Sequence, residues 1–133
     1  MRSVSHYIDQ HKDPFLKDLI ECLKVPSIST NPNREQDTQK CAEFIAKHLQ
    51  KIGLDNIRIT PTKKHPIITA DWCHLPNMPT VLIYGHYDVQ PEDPIHLWKT
   101  PPFEPRISDG QIYARGASDN KGQLYCHLKA IDA

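Results

Sequence analysis

The sequence lacks the features that identify several classes of protein. Lysine and arginine number 16 among its 133 residues, and aspartate and glutamate also number 16, so the formal net charge is zero. Proteins that bind nucleic acid or anionic membranes through basic residues carry an excess of cations. The chain has no long apolar run, and its first residues lack the apolar stretch of a signal peptide. We therefore expect a soluble, cytoplasmic chain that binds neither nucleic acid nor membranes.

Cysteine and glycine are also sparse. The four cysteines contain no Cys-x-x-Cys pair, which argues against a zinc ribbon and against a disulfide-rich secreted scaffold. We expect reduced thiols that are mostly packed. Only five glycines accompany twelve prolines, and nine of these prolines lie between residues 61 and 105. That region is therefore predicted to consist of short strands and fixed loops.

What the sequence does contain is a regular alternation of helical and strand patterns. Apolar residues recur at helical spacing over 15–23, over 41–52 and from about residue 119 to 131. The second helix is predicted to have Asp37 or Thr38 as its N-cap and Gly53 as the glycine at its C-terminal end. Strand patterns cover 56–60, 67–70, 80–84 and 111–114.

The run 80–84 is apolar throughout, as a strand covered on both faces requires. Together with the flanking helices it predicts an α/β fold with a mostly parallel sheet. Because such a sheet normally continues with further strands, we expect the sheet to be incomplete within this chain.

The first candidate for chemistry is Gly85-His86-Tyr87-Asp88, directly after the apolar run. Functional groups of open α/β sheets gather at the carboxyl ends of the strands. On an extended chain His86 and Asp88 project to the same side, so both can reach one site. His86 could bind a metal while Asp88 orients its ring, or both could be ordinary loop residues. The His-x-Asp pattern alone does not decide between these interpretations.

The second candidate is the segment 114–122, which lies between a predicted strand and a predicted helix. Ser118 or Asp119 could simply be the N-cap of that helix. The Asp119 carboxylate could instead bridge two divalent metal ions, as in two-metal hydrolytic sites. The spacing of the residues does not choose between a cap and a ligand.

Three motifs in order give a more specific indication: GHYDVQP at 85–91, the W-x-x-P-P-F element at 98–103 and RGASDNKG at 115–122. This combination closely resembles the M20 family of metallopeptidases, and within it the dipeptidase group. The resemblance implies a zinc-peptidase-like fold of which residues 1–133 are the N-terminal portion of the catalytic domain. The lid and dimerisation domain and the C-terminal half would then lie outside this chain.

The resemblance also implies a chemistry, namely hydrolysis of a dipeptide bond at a site with two zinc ions, with manganese or cobalt as other possible metals. His86 would bind the first metal, Asp88 would position the His86 imidazole as a catalytic residue, and Asp119 would bridge both metals. A cis peptide is expected between Asp119 and Asn120. The general base and the remaining ligands are expected beyond residue 133, so the isolated chain is predicted to be inactive.

The implied partners are a small peptide substrate and, through the lid domain, a second copy of the complete protein. No substrate-binding residue is assigned. Two alternatives stay open at this point. One is another M20-type amide hydrolase, such as an aminoacylase or a desuccinylase. The other is a non-catalytic binding or scaffold protein that uses the front of the same fold.

Overall fold

A computed structural model of the protein describes residues 3–133. Within this range the chain forms four α-helices, four β-strands and two short 3₁₀ turns at Pro32–Arg34 and Ile95–Leu97. The helices are α1 (Val4–Gln10), α2 (Lys12–Leu23), α3 (Glu35–Lys51) and α4 (Lys121–Asp132). The strands are β1 (Asp55–Thr60), β2 (Ile67–Asp71), β3 (Arg106–Ser108) and β4 (Gln111–Tyr113).

The three long helices follow the predicted apolar stripes, and their ends are set by local chemistry. Helix α3 begins at Glu35, earlier than the predicted start at Asp37 or Thr38. Thr38 does not cap the helix, because its hydroxyl donates to the Arg34 carbonyl oxygen at 3.1 Å from within the first turn. The helix ends as predicted before Gly53, whose φ of +85° is accessible to glycine without strain.

The core lies where α2, α3 and α4 meet. One apolar cluster joins the three helices, and its buried members are Cys22, Cys41, Ile45, Leu49, Tyr125 and Leu128. Ile57 of β1 and Ile68 of β2 pack against the same cluster. The helical spacing of the apolar residues therefore identified the faces that are buried.

The strands form two antiparallel pairs, β1 with β2 and β3 with β4. The β3–β4 pair turns at Asp109 and Gly110, whose φ values of +54° and +73° suit a tight hairpin. Strand β3 is missing from the strands predicted above. A single parallel bridge joins Ile28 to Val89. The α/β class is thus confirmed, while the strand pairs formed within residues 3–133 are antiparallel.

The run 80–84 differs from its prediction as a buried strand. It is not part of either sheet in the described portion of the chain, and the Leu82 side chain is 92% exposed. A strand forms only beside a partner that accepts and donates its backbone hydrogen bonds, and none of the four strands lies alongside this run. The run instead borders an open apolar cavity of about 900 Å³, which Leu124 and Leu128 of α4 also line.

In the part of the chain that the structure describes, no helix is both long enough and apolar enough to cross a bilayer.

Candidate functional site

The three residues singled out from the sequence lie together where two loops meet. His86 and Asp88 are on the loop after the apolar run, and Asp119 is on the loop before α4. The Nε2 atom of His86 lies 3.2 Å from Oδ1 of Asp119, and its Nδ1 atom lies 3.0 Å from Oδ1 of Asp88. The imidazole is therefore held between two carboxylates, with one on each ring nitrogen.

The His86 loop is fixed by the segment that follows α2. The Ser27 hydroxyl donates to the Tyr87 carbonyl oxygen at 2.6 Å, and the Val89 amide donates to the Ser27 carbonyl oxygen at 2.9 Å. The Tyr87 hydroxyl donates to the Pro66 carbonyl oxygen at 2.6 Å. Burial, followed by the nearby Cys41 and Asp88, raises the pKa of the Tyr87 phenol to about 12, so Tyr87 stays a neutral donor. These contacts orient His86 without help from a paired strand.

Glycines shape the Asp119 loop. Gly116 has a φ of +85°, and a Cβ atom there would lie 2.7 Å from Cγ1 of Val89. A Cβ atom on Gly122 would collide with the carbonyl group of Ala117. The peptide between Asp119 and Asn120 is cis, as the resemblance implied. At Gly116 and Gly122 the loop therefore passes too close to Val89 and Ala117 to leave room for a side chain.

Neither Ser118 nor Asp119 is the N-cap of the helix that follows. Helix α4 begins at Lys121 with Asn120 as its N-cap residue, and this end of the helix has no capping hydrogen bond from a side chain. The Asp119 side chain is 75% exposed and points at His86. Its carboxylate is thus free to take part in binding.

Two residues of the site were missed by the sequence analysis. Lys121 is fully buried, and its Nζ atom donates to the carbonyl oxygens of Cys22 at 3.0 Å and Val25 at 2.6 Å. Asn120 accepts the backbone N–H of His86 through Oδ1 at 3.3 Å. A lysine in a polar loop ordinarily lies in solvent, so neither role has a signal in the sequence.

The donor atoms at this site suit a zinc ion as two of its ligands. An imidazole nitrogen and a carboxylate oxygen are common zinc ligands, and Asp88 provides the hydrogen bond that usually orients a metal-bound histidine. Among residues 3–133, however, no three His, Cys, Asp or Glu side chains gather closely enough to hold a metal ion. Residues 3–133 therefore bring together two side chains of the kind that bind zinc, but not a complete set of ligands.

A histidine whose ring is oriented by a carboxylate is typical of a metal-binding site. Residues 82–133 match the model of peptidase family M20/M25/M40. The human Beta-Ala-His dipeptidase is 32% identical over 145 residues, an alignment that covers 100% of this chain and 29% of that protein.

Two solved structures show the same fold. The dipeptidase Dug1p from Saccharomyces cerevisiae superposes with a TM-score of 0.87 at 29% identity, over 97% of this chain and 30% of that one. The M20 family metallo-carboxypeptidase Sso-CP2 from Sulfolobus solfataricus gives a TM-score of 0.80 at 44% identity, over 89% of this chain and 26% of that one.

These comparisons confirm the resemblance to the M20 peptidases and to their dipeptidase group, and this chain is a relative of those enzymes. Sso-CP2 is named as a metallo-carboxypeptidase, so this relative is a metal-dependent enzyme. The chain spans about three tenths of the length of the curated relatives that it matches.

Proposed function

We propose that this chain forms the N-terminal part of the catalytic domain of a zinc-dependent dipeptidase. The observation that carries the proposal is the placement of the His86 imidazole between Asp88 and Asp119, at 3.0 and 3.2 Å. The similarity to Beta-Ala-His dipeptidase and to Dug1p supports a dipeptide as the substrate. The lid domain, the general base and the remaining metal ligands would come from segments outside residues 1–133, and the complete protein would be a homodimer.

Each of the three side chains has a separate task in this proposal. In the proposed tautomer, Nδ1–H of His86 donates a hydrogen bond to Asp88, and Nε2 keeps the lone pair on the side that faces Asp119. Nε2 and the Asp119 carboxylate would then be the residues of this chain that hold the metal. When bound, zinc supplies Lewis-acid polarisation of the scissile carbonyl and lowers the pKa of a water molecule. Manganese or cobalt would suit the same donors.

The isolated chain is proposed to be inactive and cytoplasmic. Two ligands fall short of the three or four that zinc normally takes from a protein. Asp88 lies at the other ring nitrogen of His86, and within residues 3–133 no three His, Cys, Asp or Glu side chains are placed to hold a metal ion. A reducing compartment is supported by the cysteines, all four of which are free thiols.

A graft tests the proposed function. The segment of S. cerevisiae Dug1 that aligns with this chain is replaced by residues 1–133, and hydrolysis of Cys-Gly is measured with added zinc or manganese. We expect turnover, because the grafted loops supply His86, Asp88 and Asp119 while the remainder of Dug1 supplies the rest. His86→Ala and Asp119→Ala should abolish turnover in grafts that keep the circular dichroism of the unmutated graft.

The matched control is His74→Ala, which removes a histidine that pairs with Asp55 at 2.6 Å, outside the proposed site. It should leave turnover unchanged. A folded graft without turnover, or turnover that survives Asp119→Ala, would contradict the proposal. If the graft does not fold, zinc titration of the 133-residue chain and of its His86→Ala and Asp119→Ala variants decides the question.

The 44% identity to the carboxypeptidase Sso-CP2 favours a second candidate, the release of a C-terminal residue from a longer peptide. The same graft separates the two activities when it is given an N-blocked tripeptide in place of Cys-Gly. Hydrolysis of the blocked peptide alone would replace dipeptidase by carboxypeptidase as the proposed activity.

A further inference from the structure

We infer that Asn120 is a positioning residue that sets the distance between His86 and Asp119. The inference deepens the proposed function and rests on it for the role of these two side chains. Asn120 follows Asp119 directly in the chain, and its side-chain Oδ1 accepts the backbone N–H of His86 at 3.3 Å. One residue therefore connects the loop of one proposed ligand to the backbone of the other.

Gly85 lies beside this connection. A Cβ atom on Gly85 would lie 2.9 Å from Cδ1 of Leu124 and 3.4 Å from Oδ1 of Asn120. The first distance is shorter than real Cβ contacts, so a side chain at residue 85 would require the end of the Leu124 side chain to shift. The hydrogen bond between Asn120 and His86 spans that narrow gap.

Asn120 is itself held in place from the helical side. Its carbonyl oxygen accepts the Leu124 amide at 2.9 Å, which is the first hydrogen bond of α4. The next residue, Lys121, is anchored in the core by its two hydrogen bonds to the end of α2. The acceptor that faces His86 is thus fixed with respect to two helices.

The side chain of Asn120 makes no capping bond to the start of α4, so its contact with His86 is not a by-product of helix capping. On the N-terminal side of the loop, the run 80–84 has no strand partner among the described residues. We conclude that the contact of Asn120 helps to hold the His86 backbone.

The test uses two readouts on the 133-residue chain. The first is hydrogen exchange of the His86 backbone amide, and the second is the affinity for zinc chloride measured by calorimetry. In Asn120→Leu, which keeps the size of the side chain and removes the acceptor, the His86 amide should exchange roughly threefold to tenfold faster. Zinc affinity should fall roughly tenfold, the lower end of the loss seen when groups that orient metal ligands are removed.

Asn120→Asp is the rescue variant, because a carboxylate oxygen can accept the same N–H. It should keep both the amide protection and the zinc affinity. Asn33→Leu is the matched control, since Asn33 is exposed on the turn before α3 and far along the chain from both loops. It should not change either readout.

The inference is overturned if Asn120→Leu retains wild-type amide exchange and zinc affinity, or if folded Asn120→Asp loses them. If Asn120→Leu does not fold, an unprotected His86 amide in the wild-type chain would overturn it as well, and a protected one would support it. A failure of the proposed function would give a different result from a failure of this inference. If only the proposed function fails, the wild-type chain shows no zinc binding that depends on His86, while exchange of the His86 amide still responds to mutation of Asn120.

Discussion

Leu23 and Leu82 have the same side chain, but they lie in two regions of the molecule that differ in how much of that side chain is buried. Leu23 ends α2 and is fully buried, whereas Leu82 lies in the unpaired run 80–84 and is 92% exposed. The helical region forms from contacts that are mostly available within residues 3–133, but the run requires neighbouring strands on both sides. A segment can therefore be strongly apolar and still contribute little to stability where its partners are not in place.

The comparison also shows what positions the candidate site. His86 lies four residues after Leu82, yet its ring and backbone are held by Asp88, Asn120 and the contacts of Ser27 to the residues beside it. Ser27 follows the end of α2 and Asn120 directly precedes α4, so these contacts connect the His86 loop to the helices. The site thus depends on the helical region, and the following predictions test that dependence in order of decreasing effect.

The largest effect is expected when the same mutation is made in both regions. Leu23→Ala removes buried methyl groups and leaves a cavity, so it should lower the free energy of unfolding by about 3 kcal/mol. Leu82→Ala should change it by less than about 0.5 kcal/mol, because the side chain is already in solvent. Urea denaturation followed by circular dichroism measures both values. Equal losses at the two positions would mean that the run 80–84 is packed and that the comparison is wrong.

A smaller effect is expected from the lysine that anchors the Asp119 loop. Lys121→Met removes a buried ammonium and its two hydrogen bonds, so the carbonyl oxygens of Cys22 and Val25 keep only their backbone donors. The free energy of unfolding should fall by about 2 kcal/mol, again measured in urea.

Lys40→Met is the control for this variant. Its ammonium makes a 3.5 Å ion pair with Asp37 on the surface of α3, so the expected change is below about 0.5 kcal/mol. A Lys121→Met variant that is as stable as the wild-type chain would show that the anchor is dispensable.

The smallest effect concerns pH and a polar cluster between the helices. Lys129 donates to Asp18 at 2.9 Å and lies 3.0 Å from Nε2 of His48. Burial, and then the charge of Lys129, lower the pKa of His48 below its usual 6.5. Burial works to raise the pKa of Asp18, but the hydrogen bond and charge of Lys129 outweigh it and lower that pKa below 3.8.

Both shifts act in the same direction. The unfolded chain binds a proton at His48 at a higher pH than the folded chain does, so stability should begin to fall as the pH drops below 6.5. The contribution of Asp18 is present above 3.8 and is lost as the pH falls through its lower folded value. Thermal melts between pH 8 and 3 measure the profile.

His48→Gln should flatten the upper part of this profile and leave the acidic part in place. Stability that increases on acidification from pH 7 to 5 would contradict the assignment of a buried, neutral His48.

The sequence predicted the features that depend on residues close together in the chain. The apolar stripes located α2, α3 and α4 because helix faces follow from spacing alone. The run 80–84 failed as a strand because pairing depends on residues that are distant in the chain. The convergence of His86 and Asp119 came from recognising motifs, since spacing could not distinguish a ligand from a cap.

The contacts of Asn120 and Lys121 could not be predicted from the sequence. Each is a polar residue at the start of a helix, where the sequence indicates capping or solvent exposure. Their contacts, to His86 on one side and to the end of α2 on the other, cross more than thirty residues of chain. Only the tertiary packing brings these partners together, so no local pattern could reveal them.

The most direct test of the account is a zinc titration of the 133-residue chain by calorimetry. If His86 and Asp119 are metal ligands, the wild-type chain should bind zinc weakly, well short of the about 10–16 kcal/mol of complete structural zinc sites, and a chelator should remove the metal. His86→Ala and Asp119→Ala should each abolish binding, while His74→Ala should have no effect. Binding that is unchanged by His86→Ala, or the same loss in His74→Ala, would contradict the assignment of this site.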